Sequence, residues 1–425
     1  MANLLGSSVF RLIRRFSRHE RGSILPMFAL VGIPLFLAGG ALLDYSMAAR
    51  EYTRLNAFAD AAALSAVDQT SLALTPAQAQ TLAQNVFSSQ AASLSGVTVS
   101  NLNVTITTSN LTRTALVTYQ ATRQAPFAAI FGLSNMTING QATAVSTASS
   151  YINFYLLLDN TPSMGVGATT ADINTMVNNT PDQCAFACHD LTNPNSYYNL
   201  AKQLGVTMRI DVVRQATQQL TQTATSIAQY PNQYQMAVYT FGASASTAGL
   251  TTVAALSSNM TSVSNATANI DLMTVEGQNQ YNDQDTNYDS VLTAMNNIIP
   301  NPGPGTQAAP QEVLFFVTDG VADEQNTTCS EPLDGQRCQE PINVSLCTTL
   351  KNRGVLIAVL YTTYLPLPTN AWYNTWIAPF SSTIATKMQA CASPGLFFQV
   401  SPSDGIAEAM NALFQQAVNV ARLSK

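Results

Sequence analysis

Four oxygen-bearing side chains stand directly after two short apolar segments in the second half of this chain. Asp159, Thr161 and Ser163 follow the segment Tyr151–Leu158, and Asp319 follows a second segment of the same kind. Such segments are typical of buried parallel strands, and ligands bind beyond the carboxyl ends of those strands. Hard divalent cations prefer carboxylate and hydroxyl oxygens. The spacing therefore predicts a metal site for Mg²⁺ or Mn²⁺, with Ca²⁺ as a further alternative.

A fifth ligand is expected from Thr286, which precedes a helix predicted to begin near Tyr288. Its neighbours Asp285 and Thr293 could take the same role. Each residue also has an ordinary structural interpretation, because Asp and Thr cap helices and an Asp-Gly pair forms turns. Their joint occurrence at two strand ends favours the metal site.

The same region allows one enzymatic alternative, a hydrolase triad of Ser163, His189 and Asp319. No nucleophile elbow surrounds the serine, as such a triad would need. The only other histidine, His19, lies in the N-terminal segment. A non-enzymatic function is therefore favoured.

Residues Ile24–Leu43 form an uncharged apolar stretch of 20 residues. A helix of this length rises about 30 Å, the thickness of a bilayer core. The preceding basic tail, residues 1–23, carries five arginines, whereas Asp44 and Glu51 follow the stretch. The positive-inside rule places the tail in the cytoplasm and the rest outside. A retained anchor is favoured over two alternatives, a cleaved signal peptide and a prepilin-type signal beginning at Gly22.

Residues 44–150 predict a small α+β stalk domain. The alanine-rich sequence after Asp44 predicts that the membrane helix continues, and Thr75-Pro76 is a start signal for a second helix. Alternating apolar residues then predict three or four antiparallel strands, marked by the groups Leu102/Val104/Ile106, Ala115/Val117/Tyr119 and Met136/Ile138/Ala142–Val145.

Residues 151–425 predict an α/β domain with a doubly wound, mostly parallel sheet. The predicted strands are Tyr151–Leu158, Gln235–Phe241, Val313–Thr318, Val355–Tyr361 and Leu396–Val400. The predicted helices are Met208–Ala228, Tyr288–Ile299, Val344–Asn352, Thr383–Cys391 and Ile406–Arg422. Residues 165–206 form an insertion that leaves from the predicted metal loop, so it is expected to border the site.

The charge and the cysteine content of the chain indicate its cellular compartment and the kinds of partner it can bind. Only 10% of residues are charged and the net charge is −6 despite the basic tail, so the body is acidic and nucleic-acid binding is not expected. Six cysteines indicate disulfides in an oxidising compartment rather than reduced, buried thiols. Closeness in sequence favours the pairs Cys184–Cys188 and Cys329–Cys338.

Two family resemblances extend this interpretation. Residues 18–67, with an Arg-Gly entry, an apolar span, Asp44 and the motif Ala59–Leu64, resemble the start of TadG-like and TadE-like proteins of the Flp (tight adherence) pilus assembly system. The pattern Asp159-x-Thr161-x-Ser163, then Thr286, then Asp319-Gly320 resembles the metal-ion-dependent adhesion site of von Willebrand factor A domains. Thr161 stands where that family has Ser, and Pro162 where Gly is common.

The C-terminal half also resembles TadG proteins that carry this domain, through Phe316–Gly320, Val355–Tyr364 and the terminal helix. This resemblance implies a third disulfide, Cys347–Cys391. It also implies a pilus-assembly or adhesion protein anchored in the bacterial inner membrane, with most of the chain in the periplasm. The implied partners are other pilus assembly proteins, pilin or a surface ligand with an exposed carboxylate, with lipid around residues 24–43. The alternative is a secreted or surface adhesin unrelated to pili.

Overall fold

The protein is described by a computed structural model covering residues 24–68, 70–109, 111–277, 285–325, 328–368, 370–401 and 405–423. The predicted cytoplasmic tail, residues 1–23, lies outside the described residues. The chain divides into two compact units between Ala148 and Ser149, which we call the stalk unit and the C-terminal unit.

The stalk unit begins with one helix of 44 residues, α1 (Ile24–Val67). Within the described part of the chain it is the only helix long and apolar enough to cross a membrane. Its first half exposes large apolar side chains, whereas Leu55, Ala59 and Ala62 in its second half are fully buried. The prediction of an apolar helix that continues past Leu43 is confirmed.

The second helix of the stalk unit, α2 (Pro76–Ala91), begins at the predicted start signal. Thr75 and Gln78 exchange hydrogen bonds between side chain and backbone, at 2.9 and 3.3 Å, which forms a capping box. Three antiparallel strands follow in the order β1-β2-β3, namely β1 (Val97–Ser109), β2 (Thr112–Gln124) and β3 (Asn135–Thr147). Alternate residues of β2 are buried in a core shared with both helices.

The C-terminal unit contains ten described strands: β4 (Ile152–Leu158), β5 (His189–Asp190), β6 (Tyr234–Thr240), β7 (Thr251–Ser257), β8 (Thr274–Val275), β9 (Gln311–Thr318), β10 (Val321–Gln325), β11 (Arg337–Pro341), β12 (Leu356–Thr362) and β13 (Phe397–Val400). Six of them form the main sheet in the order β13-β12-β9-β4-β6-β7. All neighbours in it are parallel except β6 and β7. Every residue of β4 and β9 is buried, as expected for central strands covered on both faces.

The helices of this unit are α3 (Thr170–Asn179), α4 (Tyr197–Leu204), α5 (Arg209–Ile227), α6 (Met260–Thr267), α7 (Tyr288–Ile298), α8 (Val344–Asn352), α9 (Ala371–Trp376), α10 (Ser381–Cys391) and α11 (Ile406–Leu423). Phe154, Leu156 and Leu158 of β4 pack on the face covered by α5, α6 and α11. Tyr155 and Leu157 pack on the opposite face, under α7, α8 and α10. The predicted doubly wound α/β class is confirmed.

Several elements of the C-terminal unit were not predicted from the sequence. They include the antiparallel edge strand β7 and the hairpin β10–β11. The insertion, residues 165–206, folds into α3, β5 and α4, and β5 pairs with β8.

Two of the three expected disulfides are present, Cys329–Cys338 and Cys347–Cys391. The prediction of a Cys184–Cys188 bond is wrong, because both residues are free thiols. Phe186 bridges to Val166 and β5 follows at once, so the segment between the two thiols is extended. The Cys184 thiol donates instead to the Phe186 carbonyl, at 3.6 Å.

Candidate metal-binding site

The first loop of the candidate site begins where β4 ends. Asp159 is buried, and its Oδ1 accepts hydrogen bonds from the Thr161 backbone N–H at 3.0 Å and the Thr161 hydroxyl at 2.7 Å. The Thr161 and Ser163 hydroxyl oxygens are 3.2 Å apart. A 3₁₀ turn, Pro162–Gly165, starts with proline at its first position and holds this spacing. Three predicted ligands are therefore gathered in one turn.

The second loop follows β9, which pairs with β4 in parallel register, so both loops meet at one edge of the sheet. The Thr318 hydroxyl donates to Asp159 Oδ2 at 2.6 Å and ties the loops together. Gly320 has φ +82°, and a Cβ there would lie 2.6 Å from Ile384 Cγ2, so only glycine fits after Asp319. Asp319 is 1% exposed, and neither carboxylate oxygen has a partner in hydrogen-bond geometry among the described residues.

The two carboxyl groups are electrostatically unfavourable as a pair. Burial raises the pKa of Asp319 to about 7, and the negative charge of Asp159 adds to the rise. Ser163, Arg209 and the Val321 backbone lie close enough to temper that shift. Burial also raises the pKa of Asp159, against the lowering effect of the Thr318 and Thr161 hydrogen bonds. Both groups therefore gain most from a nearby positive charge.

Thr286 occupies a different part of the site. Its backbone exchanges hydrogen bonds with Asp323 of β10, at 2.8 and 3.0 Å. Arg337 of β11 fixes this arrangement by donating to Asp285 at 2.7 Å and to Asp323 at 2.8 Å. No hydrogen bond in the described residues joins the Thr286 side chain to the other predicted ligands. Thr286 and Ser163 nevertheless line one cavity, so the structure brings Thr286 to the rim of the site.

That cavity has a volume of about 260 Å³ and opens beside Ser163. The insertion contributes Phe186 and both free thiols to its wall, so this part of residues 165–206 lies beside Ser163. Tyr364 and Trp372 also line the cavity, and the Tyr364 ring lies 6.4 Å from the ring of Phe186. Burial raises the pKa of Cys188 to about 12, so this thiol stays protonated and unreactive at neutral pH.

Several residues that shape the site were not identified from the sequence. The hydroxyl oxygens of Tyr288 and Thr318 are 2.6 Å apart. Because the Thr318 hydroxyl donates its proton to Asp159, Tyr288 is the donor to Thr318. Asn160 donates to the Gly242 carbonyl at 2.9 Å and anchors the loop to the end of β6. Polar residues beside a ligand motif are common in sequences, so these roles had no distinctive signal.

Arg209 is the most informative of the missed residues. It is 1% exposed at the start of α5, donates to the Thr363 carbonyl at 2.8 Å and interacts electrostatically with Asp319. Burial lowers its pKa, whereas the charge of Asp319 raises it. A cation at a helix N-terminus opposes the helix dipole. The position of Arg209 at the start of a predicted helix was therefore the one sequence signal that it has a role other than helix formation.

The donor set fits a hard divalent cation. Asp159 and Asp319 supply carboxylates, Thr161 and Ser163 supply neutral oxygens, and both Asp319 oxygens lie outside hydrogen-bond geometry. A second cluster, Cys329, Cys338 and Glu340, does not fit a metal, because its sulfurs are joined in a disulfide.

The strand order, the antiparallel edge and the two loops that carry Asp159 and Asp319 are the arrangement expected of a von Willebrand factor A-like domain, in a chain that begins its described part with a hydrophobic helix and a stalk unit. Residues 22–83 match the Tad family, described as Flp pilus-assembly TadE/G-like, which confirms the resemblance seen in the N-terminal segment. Comparison with curated proteins finds no match.

Solved structures with similarity to this chain include two pilus proteins. The pilus adhesin SpaC from Lactobacillus rhamnosus GG is 11% identical, with 76% of this chain and 34% of that chain covered and a TM-score of 0.36. The vWF domain of the type V pili tip protein Mfa5 from Porphyromonas gingivalis is 9% identical, with 64% and 97% covered and a TM-score of 0.36. This chain thus spans about a third of SpaC, and at these scores the likeness establishes no function.

Proposed function

We propose that this chain is a membrane-anchored, non-enzymatic protein of Flp (Tad) pilus assembly or adhesion, which binds a partner protein through a divalent cation at the Asp159–Asp319 site. The match of residues 22–83 supports the link to pilus assembly. The observation that carries the binding proposal is the pair of buried Asp319 oxygens without hydrogen-bond partners, beside a turn that presents two hydroxyls.

Each residue has a defined part in this proposal. Asp319 provides the buried negative charge that attracts the cation. Asp159 accepts the hydrogen bond of the Thr161 hydroxyl, which leaves the Thr161 oxygen to accept from Ser163. When bound, the Mg²⁺ or Mn²⁺ ion supplies an open coordination position for an exposed carboxylate of the partner. Tyr288 and Thr318 hold Asp159 in place from the sheet side. The cavity beside Ser163 accepts the residues next to that carboxylate.

The non-enzymatic assignment is part of the proposal. The His189 ring stacks on Tyr198 at 3.8 Å, and its Nδ1 lies 3.5 Å from the Leu272 carbonyl. The Ser163 hydroxyl is paired with Thr161 instead. This arrangement gives no support to a Ser163–His189–Asp319 triad.

The decisive experiment measures partner capture by the purified full-length chain with and without divalent cations. Mg²⁺ or Mn²⁺ should be required for capture of pilus-assembly proteins or pilin from the same bacterium, and a chelator should release them. Asp159→Ala should abolish capture, whereas Glu408→Gln, which removes an exposed carboxylate of the same unit outside the cavity, should leave it intact. Capture that is equally strong in chelator would refute the metal-bridged mechanism.

Orientation is tested separately. We propose that the N-terminus is cytoplasmic and that both units are periplasmic, because arginines precede the span and acidic residues follow it. A reporter active only in the periplasm should be active when fused after Lys425 and silent when fused after Gly22. The reverse pattern would overturn this orientation.

A further inference from the structure

The loop between β2 and β3 carries a second apolar surface in the stalk unit. Residues 125–133, with the sequence APFAAIFGL, contain no polar or charged side chain. Phe127, Ile130, Phe131 and Leu133 are 41–65% exposed. A cluster of exposed large apolar side chains on a folded unit marks an interaction site. We call residues 125–133 the apolar loop.

The apolar loop lies against the end of the predicted membrane span. Gly40 is buried under the Phe127 ring, and a Cβ at Gly40 would lie 2.5 Å from Phe127 Cδ1. Asp44, at the exit of the span, accepts hydrogen bonds from the backbone N–H groups of Phe127 and Ala128 at 2.9 and 2.8 Å. The loop is therefore fixed beside the last turn of the apolar stretch.

Charged groups begin only on the other side of Asp44. Arg123, just before the loop, lies 3.6 Å from Glu51 and also contacts Met47. Glu51 stands seven residues beyond Asp44, about 10 Å further along the helix. The apolar loop thus lies on the apolar side of Asp44, and the ion pair lies on its charged side.

Backbone N–H groups of the apolar loop have hydrogen-bond acceptors within the protein. Such pairing is needed in lipid, where each unpaired polar group costs free energy. Hydrogen bonds within the loop satisfy the N–H groups of Ala129, Ile130, Gly132 and Leu133 at 2.9–3.3 Å. The Ala125 N–H donates to the Ser134 carbonyl at 3.0 Å. Asp44 satisfies the next two donors, and Pro126 has none.

From this geometry we propose that the apolar loop is a second membrane contact, which inserts Ile130, Phe131 and Leu133 into the leaflet that surrounds the exit of α1. The occupant of this surface is lipid, because the loop is continuous with the lipid-facing end of the span through Gly40 and Phe127. This inference rests on the membrane anchor of the proposed function. It adds that the stalk unit is seated on the bilayer at two points.

Tryptophan quenching tests this proposal on the full-length chain reconstituted in vesicles of brominated phosphatidylcholine, with unbrominated vesicles as reference. Ile130→Trp should lose fluorescence in the brominated vesicles. Val145→Trp is the matched control, because Val145 is 60% exposed at the opposite end of β3 and should not be quenched. The unsubstituted chain, with only Trp372 and Trp376, provides the background.

Phe36→Trp, in the exposed apolar half of α1, separates the two proposals. If Phe36→Trp is quenched and Ile130→Trp is not, the loop proposal is wrong and the anchor stands, whether the loop is in water or under a protein partner. If neither is quenched, the anchor itself is refuted. Adding Phe131→Glu to Ile130→Trp should reduce the quenching, because it places a charge in the lipid, and unchanged quenching would contradict insertion.

Discussion

Replacing Asp319 with asparagine tests whether the candidate site holds destabilising charge. The pKa of Asp319 rises from 3.8 to about 7, first because the group is buried and second because Asp159 is nearby. At about 1.4 kcal/mol per pKa unit, ionised Asp319 would cost on the order of 4 kcal/mol at pH 8 without a cation.

The pH dependence has a definite sign. A carboxyl whose pKa is raised in the folded state stabilises the protein fully below the unfolded pKa, and that stability is lost as the pH rises through the folded value of about 7. Asp319→Asn removes this loss of stability, because asparagine does not ionise. The buried amide without hydrogen-bond partners still lowers the stability by about 1–3 kcal/mol. In chelator, the variant should therefore be more stable than the unsubstituted chain by roughly 1–3 kcal/mol at pH 8, and it should have little or no advantage at pH 5.

Thermal unfolding followed by circular dichroism measures the effect on the full-length chain in detergent, at pH 5 and pH 8. With Mg²⁺ at about 100 times its Kd, the unsubstituted chain should gain about 2.7 kcal/mol at pH 8, and Asp319→Asn should gain none. Glu276→Gln serves as the control for loss of a carboxylate. An Asp319→Asn variant equally destabilised at both pH values, or still stabilised by Mg²⁺, would refute the reasoning.

Three further predictions follow from the C-terminal unit. Arg209→Gln should enlarge the Mg²⁺-dependent rise in Tm, because the guanidinium now offsets part of the Asp319 charge; a smaller rise would contradict this role. The double replacement Cys347→Ala/Cys391→Ala should lower the free energy of unfolding by about 4 kcal/mol, as expected for a loop of 44 residues, in denaturant titrations. Thiol titration of the denatured, unreduced chain should find two thiols, and a count of none would restore the third disulfide.

The sheet was predictable where burial dominates the sequence. The central strands β4 and β9 are buried along their whole length, so their residues form continuous apolar runs. Strand β7 was missed because it is a half-exposed edge strand, whose mixture of Thr, Ala and Ser resembles a loop. The hairpin β10–β11 was missed because polar contacts around Arg337 and the bond Cys329–Cys338 hold it together, and apolar periodicity does not show such contacts.

Some residues of the candidate site were likewise predictable from the sequence, and others were not. The loop Asp159–Ser163 was visible because its candidate ligands are close in sequence and follow a buried strand. Arg209 comes from a distant helix, and burial of an arginine cannot be read from its type. The Cys184–Cys188 prediction failed because closeness in sequence says nothing about an extended backbone.

The length of helix α1 determines how force passes through the stalk unit. Helix α1 is uninterrupted over 44 residues, about 66 Å, and it supplies both the apolar span and a wall of the stalk core. A flexible linker would let the stalk swivel above the bilayer, but a shared helix transmits tension and torque. In the proposed membrane-anchored state, a pull on the stalk sheet therefore tilts the apolar half of α1, so that the two halves of the helix move as one lever.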